Sequence, residues 1–172
     1  MEAVKESGKA KSIGVSSFNP SHLEAISRTA RILPSINQLE FHPYFSKRQR
    51  KPFLPALRSP DTGSVVVSAY GALAPLTRTI PGPLDETLKA IADKYGITPE
   101  LICFRWCLDQ DVVVVTTTRR VERMKEYLRV FDFKLSSDEI EKINEDGYAC
   151  VGTQEPKSRN EKYYELLRAQ GK

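Results

Sequence analysis

Thr117-Thr118-Arg119-Arg120, with Arg123 close behind, ends an unbroken valine run and opens a helical pattern. Hydroxyls, guanidinium groups and the unpaired amides of a helix N-terminus are the donors that hold an anionic group such as a phosphate. A solvated basic helix face is the other reading of the same residues. Further candidates stand at the ends of apolar, β-branched runs: Ser16 with Ser17, Gln38, Tyr70 and Thr116. In parallel α/β proteins the C-terminal ends of strands and the loops behind them carry the functional groups, so these side chains are selected by position. Each has a structural alternative. The serines could start or cap a helix behind Pro20, Gln38 could satisfy buried backbone, and Tyr70 could pack as core.

Other reactive side chains make no comparable pattern. Lys47-Arg48-Gln49-Arg50-Lys51 lacks strand or cap context and reads as solvent-facing. His22 is expected on an exposed helix face. His42, in Glu40-Phe41-His42-Pro43-Tyr44, follows a strand without a recognisable catalytic partner, so a structural role is expected. Cys103, Cys107 and Cys150 make an odd count with neither zinc nor disulfide spacing. Reduced thiols and no metal site are expected, with Cys103 and Cys107 sharing a buried helix face.

Four strands would position the candidates: Ser12-Ile13-Gly14-Val15, Ser35 to Leu39, Val65 to Tyr70, and Val112 to Val115. Nearly continuous apolar runs of this length suit strands covered on both faces of a parallel sheet. Helical patterns alternate with them. Met1 to Lys11 is charged and helical in character, and Leu23, Ile26 and Ala30 follow Pro20 at helical spacing. Phe53, Leu54 and Leu57 suggest a helix before the turn at 60–63, and Gly71 to Pro83 reads as a long loop. Leu84, Leu88, Ile91 and Ala92 mark a helix closed by Gly96. Thr98-Pro99 caps the next one, through Trp106, and Arg119 to Arg129 reads as another. Ser136-Ser137-Asp138-Glu139 is a capping box for a helix ending near Gly147. Beyond it lies a polar tail with a short helix at Tyr163 to Leu167. Alternation of this kind argues for a parallel α/β architecture, as part of a barrel or as an open doubly wound sheet, although no Gly-x-Gly-x-x-Gly turn follows the first strand.

The chain has 172 residues, 40% hydrophobic and 28% charged, enough to bury a core yet shorter than the ~250 residues of a complete (β/α)8 barrel. Its 26 basic and 22 acidic side chains are dispersed, and no stacking aromatics accompany the basic clusters, which disfavours a nucleic-acid partner. No apolar run reaches the ~20 residues of a membrane span, so a cytoplasmic protein is expected.

Gly8 to Ser16, Asn37-Gln38-Leu39-Glu40-Phe41-His42-Pro43-Tyr44, Val67-Ser68-Ala69-Tyr70-Gly71 and Val130-Phe131-Asp132-Phe133-Lys134-Leu135 resemble successive landmarks of the aldo-keto reductase family, in order and at compatible spacing. The Val-Val-Thr-Thr segment and Ala74-Pro75-Leu76-Thr77 resemble fungal ketoreductase-like members in particular. The resemblance implies an α/β fold, the C-terminal half of a (β/α)8 TIM barrel, with four parallel strands and flanking helices. It divides the chain into a partial NADP-dependent oxidoreductase domain over 1–150 and a tail over 151–172. It implies NADP(H) as cofactor, with Ser16 and Gln38 on the nicotinamide carboxamide, Tyr70 stacked on its ring, and Gly71 and Leu73 along the pyrophosphate. Thr118 and Arg123 match positions that hold the adenosine 2′-phosphate, with Thr117 and Arg119 as further cofactor-binding residues beside them. Three positions depart from the family pattern: Ser17 for the usual asparagine, Thr117 for a phosphate-binding lysine, and Tyr127 for an asparagine beside the adenine.

The family's proton-donating tyrosine, with its lysine, aspartate and histidine, is supplied by the first four strands, and no residue here matches those positions. The resemblance thus implies a chain that begins just before the fifth strand, an incomplete gene product or a genuine half-size protein. Its complete form would reduce small carbonyl substrates with NADPH, while this chain alone would be inactive. A non-catalytic dinucleotide-binding or interaction module is the alternative. Open barrel edges near Ile13 and Val113 would favour self-association.

Overall fold

The structure, a computed structural model, describes residues 1–45, 53–77 and 82–151. The basic run at 47–51 and the tail beyond 151, with the helix expected at Tyr163 to Leu167, lie outside the described residues. Helix α1 (Glu2–Glu6) leads into strand β1 (Gly14–Ser16), followed by α2 (Pro20–Ser27) and β2 (Ile36–Glu40). A helical turn α3 (53–57) and a 3-10 turn (Pro60–Thr62) precede β3 (Val66–Tyr70). Then come α4 (Ala74–Thr77), α5 (Pro83–Tyr95), α6 (Pro99–Leu108), β4 (Val113–Val114), α7 (Val121–Leu128), a 3-10 turn (Arg129–Phe131) and α8 (Ser137–Val151).

The four strands form one parallel sheet in the order β1-β2-β3-β4. Each new strand is added on the same side of the last, whereas a doubly wound sheet reverses direction. Right-handed crossovers then put the helices that connect the strands on one face of the sheet. Burial follows. Leu39, Val67 and Ala69 are buried toward the helices, whereas on the other face Val66, Val113 and Val115 are 50%, 48% and 44% exposed. The apolar runs were expected to be covered on both faces. Among the described residues that pattern is met on one face only.

Parallel register sorts the open face into rows, because directly paired residues point the same way. Gly14, Ile36 and Val66 form the first row, Ser16, Gln38, Ser68 and Val113 the second, and Glu40 and Tyr70 the third. The rows run from apolar to polar toward the C-terminal ends of the strands. On the covered face, α6 is buried all round from Leu101 to Cys107, and Trp106 stacks on Phe41 at 5.0 Å between ring centroids. The indole N–H donates to Asn144 Oδ1 of α8 at 2.9 Å, which satisfies the one polar atom of that ring.

The helix signals held where they were local. Gly96, at φ 62°, closes α5 in the left-handed conformation that glycine adopts most readily. At the start of α8 the Ser136 N–H donates to Glu139 Oε2 and the Glu139 N–H to Ser136 Oγ, a reciprocal capping box. Thr98 occupies the N-cap of α6, but its hydroxyl makes no capping bond. Two expectations are corrected. The loop from Gly71 to Pro83 contains the short helix α4, and α8 continues past Gly147 to Val151. Gly147 is no terminator: a Cβ there would lie 2.3 Å from the Pro43 carbonyl oxygen and 2.8 Å from its carbon. The glycine lets α8 press against the chain behind β2. Gly147→Ala is therefore expected to lose about 1–3 kcal/mol to overpacking, although alanine favours a helix by ~1 kcal/mol. A urea midpoint unchanged or raised in this variant would refute the close-approach argument.

Candidate functional site

A cavity of about 470 Å³ opens where the C-terminal ends of β3 and β4 meet. Tyr70, Gly71, Ala72, Leu73, Ala74 and Thr77 line one side, and Val115, Thr116 and Thr117 the other. Its walls follow from the backbone. The Val115 N–H donates to the Ala69 carbonyl at 2.9 Å, carrying the β3–β4 ladder past the end of the strand and setting the threonines beside Tyr70 and Gly71. Gly71, at φ 70°, turns the chain out of β3, and the Ala74 N–H donates to its carbonyl at 2.9 Å as α4 begins. A Cβ at Gly71 would meet nothing nearer than 3.8 Å, so it is the left-handed backbone that calls for glycine.

The segment behind β2 supports this wall from below. Tyr44 is 1% exposed, and its hydroxyl donates to the Pro75 carbonyl of α4 at 3.5 Å. Burial pushes that hydroxyl up to about 12, so it is a protonated donor at neutral pH. His42 Nε2 lies 3.5 Å from Glu40 Oε1, both side chains nearly inaccessible. That carboxylate is the partner the sequence reading of His42 lacked, and the pair is internal to the supporting segment.

Tyr70, Gly71, Leu73, Thr116 and Thr117, five of the residues singled out in the sequence, therefore line one cavity. Ser16 and Gln38 lie in the neighbouring row of the open face. The Ser16 hydroxyl donates to the Gln38 carbonyl at 3.0 Å, and the Ser17 N–H donates to the same oxygen at 2.9 Å. Neither serine caps a helix: Asn19 does so for α2, accepting the His22 N–H at 2.9 Å. Ser17 stands at φ 60°, a backbone region where asparagine is far more at ease than serine. Buried Asn37 donates to the Phe18 carbonyl at 2.7 Å and accepts the Phe18 N–H at 3.3 Å, which ties the loop after β1 to β2.

Thr118, Arg119 and Arg123 continue outward from Thr117 and do not line the cavity. Thr118 Oγ1 accepts the Arg120 N–H at 3.2 Å, and Arg120 is the N-cap of α7, which begins at Val121, two residues after the start expected at Arg119. Arg119 and Arg123 are exposed at this N-terminus, where the first-turn amides and the helix dipole favour an anion. Tyr127 packs edge-to-face on Phe104 at 4.9 Å. Ala72, Ala74, Thr77 and Val115 were not anticipated as lining residues. Pro75 was the available signal, since proline suits the first turn of a helix and would have marked α4 inside the supposed loop.

The thiols are remote from this chemistry. Cys103 and Cys107 are fully buried on one face of α6, and burial raises both well above the ordinary thiol range. Among the described residues no group of three His, Cys, Asp or Glu side chains is placed to hold a metal ion, and no helix is long and apolar enough to cross a membrane.

Known proteins share this arrangement. An NAD/NADP-dependent indole-3-acetaldehyde reductase of Schizosaccharomyces pombe is 34% identical over 143 residues, 83% of this chain and 49% of that protein. An NADPH-dependent alpha-keto amide reductase of Saccharomyces cerevisiae is 34% identical over 151 residues, 86% of this chain and 47% of that one. Among solved structures, an aldo-keto reductase of Bombyx mori in complex with NADP matches at a TM-score of 0.74 and 25% identity, over 89% of this chain and 50% of the other. An aldo/keto reductase of Brucella melitensis matches at 0.69 and 29% identity, over 84% and 51%. The chain thus spans about half the length of the relatives it matches, and these neighbours imply a TIM-barrel type for its parallel sheet. The Aldo/keto reductase family model covers residues 1–146, every strand and about two-thirds of α8, and the chain belongs to that family.

Proposed function

We propose that this chain is the nicotinamide-dinucleotide-binding, C-terminal half of a (β/α)8 carbonyl reductase, with NADP(H) as the preferred cofactor, and that residues 1–172 by themselves bind the cofactor without reducing a carbonyl. Residues 1–150 make up the partial reductase domain and 151–172 the tail. The observation that carries the reading is the single cavity uniting Tyr70, Gly71 and Leu73 with Thr117 at the strand ends. It fits an elongated cofactor: an aromatic ring for the nicotinamide to stack on, a glycine turn that lets a pyrophosphate approach the backbone, and hydroxyls followed by a basic helix start. Ser16 and Gln38 hold the carboxamide, Tyr70 the ring, and Gly71 and Leu73 the pyrophosphate. Thr118 and Arg123 receive the 2′-phosphate, with Thr117 and Arg119 beside them in the cofactor site. Bound NADPH supplies the hydride. The names of the yeast relatives support a nicotinamide cofactor, one being NAD/NADP-dependent and the other NADPH-dependent.

The same reading makes the protein cytosolic, with a small carbonyl compound as substrate of the complete form. Its uncovered sheet face and the edges at β1 and β4 favour self-association.

Calorimetric titration of the purified chain with NADPH and with NADH tests the assignment. NADPH is expected to bind more tightly, and Arg123→Ala to weaken it about 10- to 100-fold, the worth of a hydrogen bond to a charged group, with NADH unaffected. Equal losses for both cofactors would place Arg123 away from the 2′-phosphate. A folded chain that bound neither would end the proposal.

A further inference from the structure

Ser68 lies at the centre of β3 with no exposed surface, and its hydroxyl has no hydrogen-bond partner among the described residues. Unpaired buried hydroxyls are uncommon because desolvation is then uncompensated. Its register partners are Gln38 on β2 and Val113 on β4. Valine offers no donor or acceptor, whereas glutamine carries both on a flexible side chain. Val67 and Ala69 turn into the core, so Ser68 shares the open face with Gln38, and Tyr70, two residues on, begins the cavity wall. The Gln38 main chain is already fixed, its carbonyl taken by Ser16 Oγ and the Ser17 N–H. Only its side chain remains to be set.

We propose that Ser68 is a positioning residue, whose hydroxyl pairs with the side-chain amide of Gln38 and holds it toward the nicotinamide carboxamide. The proposal rests on the reading that Gln38 binds that carboxamide. Binding of the cofactor and pairing of the buried hydroxyl then support one another: the amide is kept in a single orientation, and the hydroxyl gains the partner it lacks.

The test compares NADPH with its 3-acetylpyridine analogue, which keeps the ring carbonyl but lacks the carboxamide nitrogen. The wild-type chain is expected to prefer NADPH, and Gln38→Ala to abolish the preference. Ser68→Ala and Ser68→Val should each lower NADPH affinity about two- to tenfold, the worth of one hydrogen bond, with little change for the analogue, while Ser68→Thr retains the preference. In the Gln38→Ala background Ser68→Ala should have no further effect. A residue that merely packs β3 would lower the melting temperature and leave the preference intact, and that result in both the alanine and the valine variants overturns the proposal. Wild-type binding of NADPH that is indifferent to Gln38→Ala would instead remove Gln38 from the carboxamide, and the role of Ser68 with it.

Discussion

Asp109→Ala is expected to lose about 3–5 kcal/mol of stability, enough to unfold the chain at urea concentrations where the wild type is still native. Arg105 sits within the most deeply buried helix, α6, and is 8% exposed. Its guanidinium donates to both carboxylate oxygens of Asp109, through Nε to Oδ2 at 2.9 Å and through Nη2 to Oδ1. Arg105 Nη1 reaches the Val130 carbonyl at 3.2 Å, and Asp109 Oδ2 also accepts the Leu135 N–H at 2.9 Å. One carboxylate therefore neutralises a buried cation and pins the segment between the 3-10 turn and α8. Removing it strands the guanidinium and the Leu135 amide together. Breaking a buried pair in this way costs about 3–5 kcal/mol, against a total stability of about 5–15 kcal/mol for a domain. Equilibrium urea denaturation measures the loss. Arg105→Met/Asp109→Leu should recover most of it, because no unpaired charge is then left behind. A loss below about 1 kcal/mol for Asp109→Ala would mean that the pair is solvated and the argument fails.

That ion pair was not singled out in the sequence, where Arg105 and Asp109 look like any two charges one helical turn apart. Elements written in local residue choices were legible. Valine-rich runs became β3 and β4, Pro20 and Pro99 entered first helical turns, and Ser136 with Glu139 formed the expected capping box. What escaped depends on partners distant in the chain. Gly147 reads as a helix stop until Pro43 is found against it, and Thr98 reads as a cap although its hydroxyl is not used as one. The same division runs through the candidate site. The rule that strand ends carry function selected Ser16, Gln38, Tyr70 and Thr116 from position alone. That Ser16 and Gln38 share a row, and that Val115 is held beside Tyr70 by the Ala69 carbonyl, are facts of register. Residue order cannot supply them, because a slip of one residue would turn each side chain to the opposite face.

Residues 1–172 are further expected to bind NADPH and yet to oxidise it in the presence of an aldehyde at least ~10²–10⁴-fold more slowly than a full-length family member under the same assay, the usual contribution of general acid catalysis. Hydride delivery to a carbonyl carbon leaves an alkoxide that must be protonated. Among the described residues no Asp, Glu, His, Lys or Cys lines the cavity. Thr77, Thr116 and Thr117 offer only aliphatic hydroxyls, which are too weakly acidic to protonate it usefully. Tyr70 is the one phenol among the described lining residues, and the proposed function uses its ring as the platform for the nicotinamide. Tyr44 lies near the wall, but its hydroxyl points at the Pro75 carbonyl and is made a poorer acid by burial. Under the proposed function the described lining would hold the hydride source without supplying the proton, so binding and turnover should separate in this chain. Loss of absorbance at 340 nm on adding aldehyde to the NADPH complex is the measurement. A rate near that of the full-length enzyme would locate an unrecognised donor, and Tyr70→Phe would then show whether the phenol had taken that role: the rate would fall while NADPH binding was kept.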